Sequence, residues 1–248
     1  MPLDSTTLLI ASIAALFVGL SKGGLPTVAM LSVPVLSLVV SPLKGAALLL
    51  PIYIATDCVG VWLYRRRFST TNLKILIPSG FFGIAIGYST AHWVSDAVVS
   101  LLIGVMGLTF VAYNWAKRSQ VPMAKPANRR AGVGWGTVMG FTSFISHTGG
   151  PPFQMYVLPQ KLDKLTFAGT STLTFAAINL AKLPPYMALQ PYSADDLWLA
   201  VWLLPTGLAG TFLGAYLTRK INEQVFFAAV EIGLGLVSCK LIYDVLSA

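Results

Sequence analysis

The stretch "SKGGLP", residues 21–26, stands between two apolar runs in a chain that is apolar almost throughout. A lysine and two glycines interrupt what would otherwise continue as a hydrophobic helix. A second stretch, "SHTGGPP" at 146–152, repeats the interruption in the other half of the chain. Around these two breaks the composition is that of a membrane protein. The 248 residues are 55% apolar and only 10% charged, with a mean hydropathy of +0.72. A soluble domain carries roughly 25% charged residues. No basic n-region precedes the first apolar run, which starts near Leu8, so the opening reads as a span and not as a cleaved signal. Cys58 and Cys239 fall inside apolar runs and read as small buried hydrophobes. No metal-ligand spacing, phosphate loop or dinucleotide fingerprint occurs, so no cofactor and no metal are expected.

A helical span needs about 20 apolar residues. Six runs qualify: 44–64, 73–91, 96–116, 165–187, 196–218 and 224–246. Residues 7–41 and 132–161 differ, since the breaks cut each into pieces short of a full span. Each pair of pieces reads as a re-entrant hairpin or as two bent short helices. Charge then fixes sidedness. Arg65, Arg66, Arg67, Lys74, Lys117, Arg118, Lys125, Arg129, Arg130, Lys161, Lys164, Arg219 and Lys220 make up 13 of the 17 basic residues. If both broken segments return to the side they left, all 13 share one face, which is cytoplasmic by the positive-inside rule. Both termini are then periplasmic. The net charge of +8 is thereby explained by topology, and no nucleic-acid partner is implied.

The halves also resemble each other. "PSGFFGIAIG" (78–87) and "PTGLAGTFLG" (205–214) share one glycine pattern, Gly23-Gly24 corresponds to Gly149-Gly150, Asp96 to Glu223, and Asp57 to Asn179. Glycines at this spacing let helices approach closely. The expected fold is all-α and integral to the membrane. It has two inverted repeats of about five helices each, and each repeat starts with a Gly/Pro-broken hairpin. Residues 1–116 form the first repeat, 117–130 a basic cytoplasmic linker and 131–248 the second. Inverted repeats with broken helices are the architecture of secondary transporters.

Irregular backbone at membrane depth must be buried in protein or line a wet cavity. Pro26 and Pro151-Pro152 sit where first-turn prolines would start a second helix whose free amides face the break. Such a helix end favours an anion. The expected binding residues are therefore Ser21, Lys22, Gly23 and Gly24 from the first break, and Ser146, His147, Thr148, Gly149 and Gly150 from the second. Asp57, near the middle of its span, either pairs with Lys22 or carries a coupling proton, with Asn179 at the matching place; a plain structural hydrogen bond is the alternative. Glu231 is a further intramembrane acid. Lys44, Lys182 and Lys240 read as snorkelling residues near outer span ends, and Trp93, Tyr192 and Trp198 as interfacial belt. The bland alternatives are a simple interhelical turn at each break, a snorkelling Lys22 and a helix-end His147.

The pair "GLSKGGLP" (19–26) and "GFTSFISHTGGPP" (140–152), with the repeat around it, resembles the sulfite exporter TauE/SafE family over nearly the whole chain. The matching glycines are Gly23, Gly24, Gly149 and Gly150. Leu25 and Pro151 interrupt the longer glycine runs of some members. The resemblance implies a bacterial inner-membrane permease that exports sulfite or a related organosulfonate. A dianion such as sulfite would suit Lys22 and two helix N-termini. The competing readings are an anion channel, an importer of another small anion, and an intramembrane enzyme using Ser146 or His147. The last lacks a spaced triad partner, because His92 lies at the opposite end of a span, so no enzyme is expected. Partners are the anion and membrane lipid; a coupling proton and a homodimer are compatible with the sequence.

Overall fold

The structure is a computed structural model that describes residues 5–25, 28–93, 95–117, 124–189, 191–220 and 223–247. Regular structure among the described residues is helical. The helices are α1 (Ser5–Lys22), α2 (Ala29–Leu36), α3 (Pro42–Tyr64), α4 (Thr70–Thr90), α5 (Asp96–Lys117), α6 (Arg129–Ser146), α7 (Gly150–Val157), α8 (Lys164–Leu189), α9 (Ala194–Lys220) and α10 (Glu223–Leu246). Pro26, residues 118–123 of the linker, and the side chains of His92, Asp96, Glu223 and Glu231 lie outside the described part.

Four described helices are long and apolar enough to cross a membrane: Ser5–Lys22, Lys44–Tyr64, Thr70–Thr90 and Ala194–Thr218. The first corrects the expectation of a short piece. At 18 residues α1 is about 27 Å long, close to the hydrocarbon thickness. Helix α8 is longer still but carries Thr170, Ser171, Thr172, Thr174, Asn179 and Lys182, all buried. Those polar side chains face protein, while Leu165, Leu180 and Met187 on the same helix are exposed. The cysteines also depart from expectation, since Cys58 and Cys239 are both exposed on the helix surfaces.

The helices pair across the two halves of the chain. Helix α1 lies along α9, α4 along α6, α3 along α8, and α5 along α10. The glycine pattern explains two of these pairs. A Cβ on Gly140 of α6 would overlap the Gly80 carbonyl of α4, and one on Gly19 of α1 would overlap the Gly207 carbonyl of α9. Thus "PSGFFGIAIG" and "PTGLAGTFLG" each receive the opposite half's broken segment at backbone contact. Gly83 meets Thr137 and Gly87 meets Phe144, so α4 and α6 run parallel. Asp57 meets Asn179, Gly60 meets Thr172 and Tyr64 meets Gly169, so α3 and α8 run antiparallel. The core between them holds Leu49, Leu50, Ile52, Leu76, Met139, Phe144, Phe153 and Ile178, each almost fully buried.

Candidate functional site

The first break begins where α1 ends at Lys22. Gly24 adopts φ +112, a backbone conformation that glycine enters without the Cβ penalty. The Gly23 carbonyl, released from the helix, accepts hydrogen bonds from Tyr64 Oη at 2.8 Å and Thr218 Oγ1 at 3.2 Å. Helices α3 and α9 thereby hold the break in place. Ser21 turns its hydroxyl back to the Val18 carbonyl at 2.6 Å.

The second break is built differently. The left-handed residue that closes α6 is His147 itself, at φ 54, and not a glycine. Its amide donates to Ser143 O at 3.1 Å, and the Thr148 amide to Thr142 O at 3.3 Å. Pro151 and Pro152 take up the first turn of α7, as expected from sequence, and have no N–H to give. The Gly149 carbonyl accepts the Phe153 amide at 3.2 Å and so starts the hydrogen bonding of α7. A left-handed non-glycine residue is strained unless its surroundings hold it. The ring of His147 is held on three sides. It stacks on Tyr53 with centroids 4.6 Å apart, Nε2 lies 2.8 Å from Ala46 O, and Nδ1 lies 2.7 Å from Lys182 Nζ. A carbonyl only accepts, so Nε2 carries the proton and Nδ1 accepts from Lys182.

Between the breaks lies a buried cavity of about 30 Å³. Its wall includes Ser21, Lys22, Tyr53, His147, Phe175 and Asn179, with Ser143, Gly150, Ser171 and Thr172. Of the residues expected at the site, Ser21, Lys22, His147, Gly150 and Asn179 line this one space. Gly23, Gly24, Ser146, Thr148 and Gly149 form the turns behind the wall, where Ser146 Oγ and Thr148 Oγ1 bond each other at 2.8 Å. Asp57 also stands behind the wall. Its Oδ1 is 2.7 Å from Lys22 Nζ and its Oδ2 accepts from Asn179 Nδ2 at 2.7 Å. The Lys22 contact is a charge contact without an aligned hydrogen bond, and Oδ1 has no hydrogen-bond donor. Lys22 also lies 5.1 Å from the centre of the Tyr53 ring. Lys22 and Asp57 are each 4% exposed, so neither reaches a membrane surface.

The sequence reading missed Lys182. It is not a snorkelling residue: it is fully buried and turns inward to Ser143 O at 3.1 Å, Ser143 Oγ at 3.2 Å and His147 Nδ1. The signal was its spacing, since Lys182 follows Asn179 by three and so shares its helix face. Lys44 and Lys240 do remain outside, near Asp196 at 4.0 Å and Asp244 at 2.5 Å. Trp93 and Trp198 are exposed, whereas Tyr192 donates to Ala47 O at 3.1 Å and ties α3 to the segment before α9.

The site therefore combines two helix breaks, two buried lysines, one carboxylate, a neutral imidazole and a set of hydroxyls around one small polar space. A family model for the sulfite exporter TauE/SafE matches residues 11–241 of the chain, and the chain belongs to that family. It is accordingly a membrane transport protein, in keeping with its apolar helices. No curated protein and no solved structure matches it.

Proposed function

We propose that the protein is a secondary transporter that exports sulfite, or a related organosulfonate, across the bacterial inner membrane, holding the anion between the two helix breaks. The observation that carries this reading is that Lys22 from one break and His147 from the other line the same buried cavity. Lys22, the Gly150 end of α7 and the hydroxyls of Ser171 and Thr172 supply donors to an oxyanion there. At about 30 Å³ the cavity has room for water and not for sulfite, so the breaks must part to admit the ion.

Alternating access follows from two inverted repeats, residues 1–116 and 131–248, joined by a cytoplasmic linker at 117–130, with both termini periplasmic. Support comes from the cross-paired glycine segments and from α3 and α8, the corresponding helices of the two halves, which run antiparallel. Rocking one repeat against the other would open the cavity to each side in turn.

Radiolabelled sulfite uptake into proteoliposomes tests the function. Saturable uptake that responds to an imposed proton gradient and is competed by sulfonates supports it. Conductive, unsaturable flux would identify an anion channel, and uptake competed only by unrelated anions would identify a permease for a different substrate.

A further inference from the structure

The charges buried at and behind the cavity wall do not balance. Lys22 is matched by Asp57 at 2.7 Å. Lys182 has no carboxylate within ion-pair distance among the described residues. Its three neighbours, Ser143 O, Ser143 Oγ and His147 Nδ1, are all neutral. The other titratable groups of this region are Tyr53 from α3 and His147 from the α6–α7 turn, which line the space, and Tyr186 from α8, whose ring lies 6.2 Å from that of His147. Tyr53 is engaged with Ser32 Oγ at 2.6 Å, and Tyr186 donates to Phe144 O. None of these adds a negative charge. With Asp57 ionised and Lys182 protonated, the interior holds one net positive charge.

We infer that Lys182 is the charge partner of the transported anion, acting through His147 and Ser143, and that the site closes on a singly charged oxyanion. This rests on the anion-transport reading above and deepens it. The substrate class becomes hydrogensulfite or a sulfonate, and a dianion is excluded unless Asp57 is neutralised. The reason is the cost of an unmatched charge in a buried space, which penalises one excess charge of either sign. Lys22 then has a different task. Paired with Asp57, it presents hydrogen-bond donors without contributing net charge. Asp57 acts as a tethered carboxylate that keeps Lys22 from attracting a second negative charge.

A purely structural role competes with this inference. Lys182 bonds Ser143 O in the last turn of α6, where a cation is favourable to the helix end. Charge rescue separates the two roles. The full-length protein, purified in detergent, is titrated calorimetrically with methanesulfonate, which is singly charged, and with sulfate, which is doubly charged at neutral pH. Wild type should bind methanesulfonate and show at least about tenfold weaker sulfate binding. Lys182→Gln should lose methanesulfonate binding by about tenfold or more. Asp57→Asn, which frees a second positive charge, should strengthen sulfate binding by about tenfold or more. The double variant Lys182→Gln/Asp57→Asn returns the net charge to its wild-type value and should recover methanesulfonate binding. A structural cap would not be repaired by a change at Asp57, so failure of the folded double variant to recover binding overturns the inference. Equal binding of sulfate and methanesulfonate by wild type also overturns it. If wild type binds neither methanesulfonate nor sulfate nor sulfite, the transport reading itself fails.

Discussion

Asp57 of α3 and Asn179 of α8 are bonded to each other: Asn179 Nδ2 donates to Asp57 Oδ2 at 2.7 Å. The bond joins α8 to α3 through a buried acid and a buried amide. Two carboxylates here would repel; two amides would leave Lys22 without a counter-ion. Replacing Asn179 with Leu removes a donor from a buried carboxylate. We expect a loss of about 1–3 kcal/mol in stability, read as a lower unfolding temperature in detergent. An unchanged unfolding temperature would show that Asp57 is satisfied without Asn179.

Lys22 and Asp57 should behave as a unit. Lys22→Met strands a buried carboxylate and is expected to cost about 3–5 kcal/mol. Adding Asp57→Asn removes the stranded charge and should restore most of that loss. A double-mutant cycle in thermal unfolding measures the coupling. Additive losses would contradict the 2.7 Å contact as an energetic pair.

The pH response of anion binding should belong to Asp57 and not to His147. The groups around Asp57 are Lys22 from α1, Tyr53 on α3, and Asn179 and Lys182 from α8, with His147 of the second break beyond Lys182. Protonating Asp57 frees Lys22, so wild-type sulfate affinity should rise as pH falls. Asp57→Asn should bind sulfate with no such rise. In His147 both ring nitrogens are committed, one to Ala46 and one to Lys182, so its neutral form is the bonded one. His147→Gln should weaken binding while keeping the slope with pH. A flattened profile in His147→Gln and a wild-type profile in Asp57→Asn would reverse the assignment.

The glycine contacts between halves should be as sensitive as core positions. Gly140→Val places a side chain against the Gly80 carbonyl, where the atom in the way is backbone and cannot swing aside. We expect at least about 1–3 kcal/mol of destabilisation. Gly134, with open space around it, is the matched control, and Gly134→Val should cost less. Equal effects at the two positions would show that α4 and α6 are not in backbone contact.

How much of this was legible in the sequence follows from what each residue had to do. The breaks were visible because glycine and proline punctuate helices by their own backbone chemistry. The Lys22–Asp57 relation was visible because two opposite charges deep in apolar runs have few other partners. The cross-pairing of α4 with α6 and α1 with α9 was hidden. A glycine stripe announces a close contact but not the helix that makes it. Lys182 was misread because position along a helix does not say which way a flexible side chain turns. Its inward path depends on Ser143 and His147, residues 39 and 35 positions away in sequence. The left-handed His147 was also hidden, since Gly149 and Gly150 next to it are the residues that ordinarily take that conformation.

The most direct test is to locate the anion. Selenite, the heavier analogue of sulfite, scatters X-rays anomalously and can be soaked into crystals of the protein. A single selenium peak is expected in the interior between Lys22 and His147, within hydrogen-bonding reach of Gly150, Ser171 or Thr172, with the breaks further apart than in the closed structure. The peak should vanish in crystals of Lys182→Gln. Selenium bound only at the membrane-facing or solvent-facing surface, with the interior empty at saturating selenite, would contradict a substrate site between the two breaks.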